Sequence, residues 1–239
     1  TPPWTSVYST PIHLRPEYRL IFLDIETTGL DEETCQILEI ACAITDKEVT
    51  RIDGPTGFNV VIHHEQSILD NMEPWCMSQH VELAKDSAAS TISLDEAEKM
   101  VIDYLSNYIF DWSCVTLTGN NITFDRKFLK KYMPQLDSLF PPFPFDISSV
   151  RRGLRLWTSS FKPMRKTCKH RAIDDVAETI KELEAQQKEQ KKVTLRQLIE
   201  IKDVTNEVLA LKAADKSPRG NEWRAKVAEM TKALSDPQK

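Results

Sequence analysis

The feature that most constrains this chain is a short apolar run that ends in two closely spaced carboxylates. Residues 20–23 are Leu-Ile-Phe-Leu, which is typical of a buried central strand, and Asp24 and Glu26 follow. Because side chains alternate along a strand, both carboxylates leave the same face of the sheet. Two such groups repel each other and are costly to desolvate unless a cation lies between them. The pattern favours a divalent metal site, although solvated acids at a strand end would also explain it taken alone.

The composition of the 239-residue chain is that of a globular protein with one sizeable core. Its hydrophobic content is 41% and its charged content is 28%, and no apolar run approaches the roughly 20 residues that cross a bilayer. Five scattered cysteines form no Cys-x-x-Cys pair, which indicates reduced thiols rather than disulfides or a zinc site. We therefore expect an intracellular protein, mitochondrial or cytoplasmic, without a membrane segment. A targeting segment removed from before Thr1 is compatible with this expectation.

Proline and hydrophobic patterns divide the chain into three parts. Residues 1–17 hold four prolines without a helical period and predict an extended N-terminal arm. Residues 18–190 begin with three strand-like segments that predict an antiparallel meander. They continue with alternating strands and helices, so we expect an α/β domain. Residues 191–239 carry two amphipathic stripes and predict a C-terminal helical extension, with its second helix around Trp223.

Local signals predict where several helices of the domain begin. Ser93 and Glu96 form a capping-box pattern in front of a predicted helix over residues 94–109. A strand over residues 115–118 precedes a predicted helix over residues 124–133. Ser148 or Ser149 is expected to cap a further helix that ends at Trp157.

Three further residues lie where a metal site would need them. Asp125 lies in the first turn of the helix after a strand end, Asp175 lies early in the last core helix, and His170 precedes that helix. With Asp24 and Glu26 they can converge on one patch. Carboxylate oxygens suit two Mg²⁺ or Mn²⁺ ions, and such a pair clamps both oxygens of a phosphodiester that is being cleaved. His170, with an ordinary pKa of ~6.5, could accept the proton of the attacking water.

Three ordered segments resemble the motifs of the DEDDh family of 3′ to 5′ exonucleases. They are Asp-Ile-Glu-Thr-Thr-Gly-Leu at 24–30, Gly-Asn-Asn-Ile-Thr-Phe-Asp-Arg-Lys-Phe-Leu at 119–129 and His-Arg-Ala-Ile-Asp-Asp at 170–175. Within that family the chain resembles oligoribonucleases over residues 19–190. The resemblance implies a ribonuclease H-like mixed sheet flanked by helices. It also implies a metal-dependent 3′ to 5′ exoribonuclease that degrades short single-stranded RNA to nucleoside 5′-monophosphates.

The resemblance also assigns roles to the catalytic residues. Asp24, Glu26 and Asp175 would hold the first cation, and Asp24 would reach the second. Asp125 would complete the site directly or through water, and His170 would be the general base. Asp174 falls one position short of the family spacing and is interpreted as a charge at a helix start.

The same resemblance suggests which residues contact the substrate. Leu30 matches a wedge between the last bases, and Trp75 matches an aromatic side chain on which a base stacks. His80 and Ser148 match two groups near the 5′ phosphate of a dinucleotide.

The chain departs from oligoribonucleases at the cap that closes around this phosphate. Asn121 replaces a serine of the family, and Pro142 and Phe143 replace a Tyr-Arg pair. Phe143 cannot give a phosphate the charge-assisted hydrogen bonds of an arginine. We therefore retain Asn121 as a substrate-binding candidate and expect degradation of longer RNA as well as dinucleotides.

Two features of the sequence concern partners. Residues 147–173 contain eight basic residues and no acid. A solvated surface would also explain this stretch, but we favour contact with a nucleic-acid backbone. The arm and the C-terminal helices suggest either a homodimer or docking into a larger complex. The alternative to an enzyme is therefore a structural or assembly component of a ribosomal or mitochondrial particle that retains an exonuclease-like fold.

Overall fold

The computed structural model describes residues 17–159, 161–164 and 170–214, and in them the chain forms a five-stranded sheet with helices on both faces. The order across the sheet is β3-β2-β1-β4-β5. The strands are β1 (Arg19–Thr27), β2 (Ile37–Asp46), β3 (Phe58–Val61), β4 (Val115–Gly119) and β5 (Phe145–Asp146). The N-terminal arm predicted for residues 1–17 lies outside the described residues apart from Glu17.

The central strand β1 joins an antiparallel half of the sheet to a parallel half. It pairs antiparallel with β2, which pairs antiparallel with β3, so the predicted meander is confirmed. On its other side β1 pairs parallel with β4, and β4 pairs parallel with β5. The predicted mixed α/β sheet is therefore confirmed.

In the described ranges, eight α-helices accompany the sheet. They are α1 (Gln66–Leu69), α2 (Pro74–Gln79), α3 (Val81–Ala89), α4 (Leu94–Ser106), α5 (Ile122–Tyr132), α6 (Pro134–Leu139), α7 (Ile147–Trp157) and α8 (Ala172–Ala214). The described residues include no helix with the length and apolar character needed to cross a membrane.

Side-chain alternation along β1 decides which face receives the carboxylates. Ile21 and Leu23 enter the core that contains residues of α4, α5 and α6. Leu20 and Phe22 enter the opposite core, with Ile147 of α7 and with Ala172, Val176 and Ile180 of α8. Asp24 and Glu26 continue the even-numbered series, so they leave the sheet toward the face that α8 covers.

Helix starts follow the predicted caps in one case and differ in another. The capping box of Ser93 and Glu96 is present at α4, as predicted. At α7 the predicted serine cap is wrong, because Asp146 is the capping residue and accepts a hydrogen bond from Ser148 N at 2.9 Å. Asp146 ends a strand, so its backbone already has the extended conformation of a capping residue.

The last described helix is longer than the sequence predicts. One helix, α8, runs from Ala172 to Ala214, where we expected a core helix ending near Gln190 and a separate helix after it. Lys, Glu and Gln around residue 190 are good helix formers, so a polar run there does not end the helix. Contacts divide the chain into the units Thr1–Gln186, which contains the sheet, and Gln187–Lys239. The predicted boundary at residue 190 stays a prediction, and the helix predicted around Trp223 lies outside the described residues.

Candidate active site

Three carboxylates meet at the end of β1. Asp24 and Glu26 come from that strand and Asp175 from the first turn of α8, and one ligand atom of each lies within 4.8 Å of the others. Among the described residues, Asp175 rather than Asp174 belongs to this group. We call Asp24, Glu26 and Asp175 the carboxylate cluster.

The electrostatics of the carboxylate cluster show a need for positive charge. Burial, together with the nearby charges of Asp175, Glu39 and Asp125, raises the pKa of Glu26 to about 8. A proton or a cation must therefore compensate this group at neutral pH. Hard divalent cations such as Mg²⁺ and Mn²⁺ prefer carboxylate oxygens, so the residues present fit such ions.

Asp125 lies beside the cluster, against the backbone of β1. It is in the first turn of α5, its side chain is buried, and its Oδ1 accepts a hydrogen bond from Ile25 N at 3.1 Å. Burial raises the pKa of Asp125 to about 7, while the hydrogen bond from Ile25 N opposes this change. The approach of α5 to β1 depends on Gly119, because a Cβ there would lie 2.8 Å from the carbonyl oxygen of Leu23.

The rings of Trp75, His80 and His170 lie against one another, and His80 connects them to Glu26. The ring centroid of His170 lies 5.5 Å from that of Trp75 and 6.2 Å from that of His80, with edge-to-face geometry in both pairs. His170 adopts a left-handed backbone conformation with φ 53°, which is uncommon for residues other than glycine. The structure therefore places His170 at the entrance to α8, five residues before Asp175.

His80 is more deeply buried than its predicted contact with substrate suggests. Its side chain is 2% exposed, and its Nε2 lies 3.5 Å from Glu26 Oε2. Burial lowers the pKa of His80, and the neighbouring His170 lowers it further. The structure shows His80 as a neighbour of Glu26, and its contact with a phosphate stays a prediction.

Glu73 links the loop of Leu30 to the start of α2, the helix that carries Trp75. The Glu73 Oε1 atom accepts a hydrogen bond from Leu30 N at 3.1 Å, and Glu73 N donates to Thr28 O at 2.8 Å. Trp75 follows two residues later in α2. Leu30 is 66% exposed and Trp75 is 56% exposed, so both side chains are available for contact with a base.

Asn121 and Ser148 meet at the corner between β4 and α7. Asn121 N donates to Asp146 Oδ1 at 3.0 Å and to Ser148 Oγ at 3.3 Å. Ser148 Oγ donates to the same Asp146 oxygen at 2.6 Å. Asn121 has φ 52°, a left-handed conformation that asparagine tolerates better than most residues. Asp146 thus fixes both predicted substrate contacts through one carboxylate oxygen.

The structure also contains an ion pair around a buried glutamate, which the sequence did not reveal. Glu39 is fully buried on β2 and accepts hydrogen bonds from Arg171 Nε, Arg171 Nη2 and Ala172 N at 2.9–3.2 Å. Arg171 also donates to Asp86 at 2.9 Å. Glu39 therefore accepts the hydrogen bond of a backbone N–H in the first turn of α8. It also fixes Arg171, the residue that follows His170. A lone acid in the apolar run Ile37-Leu-Glu-Ile-Ala is the signal that could have revealed it.

The carboxylate cluster predicts how stability depends on pH and on divalent cations. The folded state keeps the Glu26 proton between its ordinary pKa of 4.5 and its raised pKa of about 8, so metal-free stability falls as pH rises through this window. Mn²⁺ should therefore raise the Tm more at about pH 8 than at about pH 6, where the ion must displace that proton. Calorimetry with and without Mn²⁺ measures both effects.

Two substitutions test which aspartate belongs to the cluster. Asp175→Asn removes a ligand and should lose most of the Tm increase with Mn²⁺, whereas the neighbouring control Asp174→Asn should retain it. Equal Mn²⁺ responses at both pH values, or the same loss in both variants, would contradict this assignment.

Comparison with known proteins identifies the family. The exonuclease family matches residues 21–183, most of the chain. A probable oligoribonuclease of Caenorhabditis elegans is 40% identical over 169 residues, which is 70% of this chain and 86% of that protein. The human mitochondrial oligoribonuclease is 38% identical over 172 residues, which is 70% of each protein.

Solved structures agree on the fold. The zinc-bound complex of Escherichia coli exonuclease I with single-stranded DNA matches with a TM-score of 0.60 and 15% identity, over 74% of this chain. The match covers 42% of exonuclease I, so this chain spans less than half of that protein. The chain therefore belongs to the exonuclease family, as a DEDDh-type exonuclease similar to oligoribonucleases.

Proposed function

We propose that this chain is a metal-dependent 3′ to 5′ exoribonuclease that degrades short single-stranded RNA to nucleoside 5′-monophosphates. The observation that carries the proposal is the convergence of Asp24, Glu26 and Asp175 within 4.8 Å, on the face that α8 covers. The preference for RNA rests on the oligoribonuclease relatives.

The carboxylates supply the binding site for the cations. Asp24, Glu26 and Asp175 would hold one divalent ion, Asp24 would also reach a second, and Asp125 would complete the site directly or through water. When bound, two Mg²⁺ or Mn²⁺ ions would activate water and neutralise charge on the phosphate. Burial around Asp125 and Glu26 keeps these oxygens in fixed positions.

His170 would act as the general base that accepts the proton of the attacking water. Water attacks the last phosphodiester, the bond to the 3′ oxygen of the preceding nucleotide breaks, and His170 takes the proton from the water. The products are a nucleoside 5′-monophosphate and an RNA shortened by one nucleotide. The contact of Trp75 with His170 limits the positions open to the imidazole.

Exposed side chains around the cluster would orient the RNA. Leu30 would wedge between the last two bases, and Trp75 would stack on a base. Ser148 and Asn121 would bind phosphate at the β4–α7 corner, and His80 would lie near the 5′ phosphate of a dinucleotide.

The second unit supports a further role in docking. Leu195, Leu198 and Ile199 on α8 are 58%, 58% and 49% exposed, and exposed apolar side chains at helical spacing favour contact with a partner. A homodimer and a larger particle are both compatible with this observation. We place the protein inside the cell, in mitochondria or cytoplasm, because its human relative is a mitochondrial oligoribonuclease and its four described cysteines form no disulfide.

Degradation of defined RNAs tests the proposed activity. The full chain, with Mn²⁺ and 5′-labelled RNAs from dinucleotides upward, should release nucleoside 5′-monophosphates from the 3′ end. Asp175→Asn should abolish release and Asp174→Asn should retain it. A folded chain that binds Mn²⁺ but degrades none of these RNAs would favour the structural alternative.

Replacement of His170 separates the base from the metal ligands. His170→Ala should lower kcat by roughly two to four orders of magnitude, the share expected of a general base. Metal affinity, measured by titration calorimetry, should change little. If the affinity collapses together with kcat, His170 is a ligand or a structural residue.

Replacement of Glu39 tests whether its ion pair positions the active site. Glu39→Gln keeps the shape but loses the charged contacts to Arg171, so the free energy of unfolding should fall by about 2–3 kcal/mol. Because His170 is next to Arg171, kcat should fall about ten- to a hundredfold, whereas KM changes little. Denaturant unfolding and steady-state kinetics measure the two effects.

Glu98 provides the matched control for Glu39. It is also a buried glutamate that accepts a backbone hydrogen bond at a helix start, from Leu136 N at 2.9 Å, but it belongs to the opposite face of the sheet. Glu98→Gln should lose stability and keep its kcat. Similar kinetic effects of the two substitutions would mean that Glu39 acts only through global stability.

A further inference from the structure

One stripe of α7 combines a serine at the active-site corner with three arginines. Ser148, Arg151, Arg152 and Arg155 follow the spacing of one helix face. Together with Leu156 they line a groove of about 380 Å³. The groove begins at the corner where Ser148 Oγ accepts a hydrogen bond from Asn121 N.

The three arginines are not equivalent. Arg151 Nη1 donates to Glu182 Oε1 at 2.5 Å and to Asn120 Oδ1 at 3.2 Å, so Arg151 links α7 to α8 and to the end of β4. Arg152 and Arg155 are exposed, and within the part of the chain that the structure describes neither pairs with a carboxylate. Arg151 therefore has a structural partner, whereas Arg152 and Arg155 leave two positive charges uncompensated along the groove.

We infer that Arg152 and Arg155 bind the phosphates of an RNA that extends beyond the last two nucleotides. This inference rests on the proposed exoribonuclease function and extends its substrate class to longer single strands. Guanidinium groups bind phosphate with paired, charge-assisted hydrogen bonds, and the groove leads away from Ser148. The charge complementarity favours an RNA backbone over a protein partner.

The dimensions of the helix set the number of nucleotides. Seven residues separate Ser148 from Arg155, a length of about 10 Å at about 1.5 Å per residue. A stacked strand advances about 3.4 Å per nucleotide, so the groove accommodates roughly three. The exposed side chain of Phe143 is apolar and offers no charge-assisted contact to a phosphate, so the positive charge that faces an RNA here comes from Arg152 and Arg155. The groove therefore serves RNAs of about five nucleotides.

A length series tests this assignment by kinetics. For the wild-type chain, kcat/KM should rise from the dinucleotide to about the pentamer and then level off. In Arg152→Gln/Arg155→Gln, kcat/KM for the pentamer should fall about ten- to a hundredfold, while that for the dinucleotide stays within about twofold. In this variant, the slope of log affinity against log salt concentration for the pentamer should also become shallower by about one to two.

Lys99 and Lys130 supply a control with the same change in charge. Both are exposed and lie on α4 and α5, whose buried hydrophobic residues belong to the opposite core. Lys99→Gln/Lys130→Gln should keep the wild-type length dependence. An equal loss for pentamers in both double variants would show that only net charge matters and would overturn the proposal.

Binding separates this inference from the proposed activity. In the Asp24→Asn background, fluorescence anisotropy with labelled RNAs should show tighter binding of the pentamer than of the dinucleotide, and the two arginine substitutions should remove the difference. If the wild-type chain hydrolyses no RNA but the Asp24→Asn variants show this binding pattern, the proposed function fails and the RNA groove stands. Equal binding of pentamer and dinucleotide overturns the groove. So does a change of oligomeric state in light scattering without a change in length preference, since α7 would then bind a second copy through Leu156.

Discussion

The structure depends most on how it accommodates carboxylates at the end of a buried strand. Asp24 and Glu26 must leave the same face of β1, and α8 brings Asp175 to them. In this setting, burial and three neighbouring acids raise the pKa of Glu26 to about 8. Such an arrangement opposes folding unless protons or cations compensate it. A cost of this kind is typical of a site in which stability gives way to function.

A second buried carboxylate, one strand away, is compensated within the chain itself. Glu39 lies opposite Glu26 in the register of β1 and β2 and is even less accessible to water, yet Arg171 and Ala172 N satisfy it. The pair fixes the start of α8 and with it the position of His170. The two neighbouring glutamates are therefore compensated differently. Glu39 receives positive charge from Arg171, whereas Glu26 needs a proton or a bound cation.

Local patterns predicted much of this arrangement, and the contacts between distant residues lay beyond them. The apolar run of β1, the capping box at α4 and the three motif segments are short-range signals, and the sheet and its helices follow from them. The pairing of Glu39 with Arg171 joins residues 132 positions apart, so no local pattern reveals it. The burial of His80 depends in the same way on the placement of α2 and α3 over the sheet. At α7 the sequence predicted a serine cap, but Asp146 is the capping residue because it ends a strand and already has an extended backbone.

The distribution of burial explains how the chemistry and the substrate range can change independently. Asp125 and Glu39 are buried and hydrogen-bonded to elements on which the fold depends, so replacing them would cost stability as well as activity. Phe143 is 71% exposed, and substitutions at such positions usually alter stability by less than about 0.5 kcal/mol. The side chain at such a position can therefore change without disturbing the carboxylates. The same reasoning applies to Arg152 and Arg155, whose exposed positions on α7 allow new contacts with RNA at little cost to the fold.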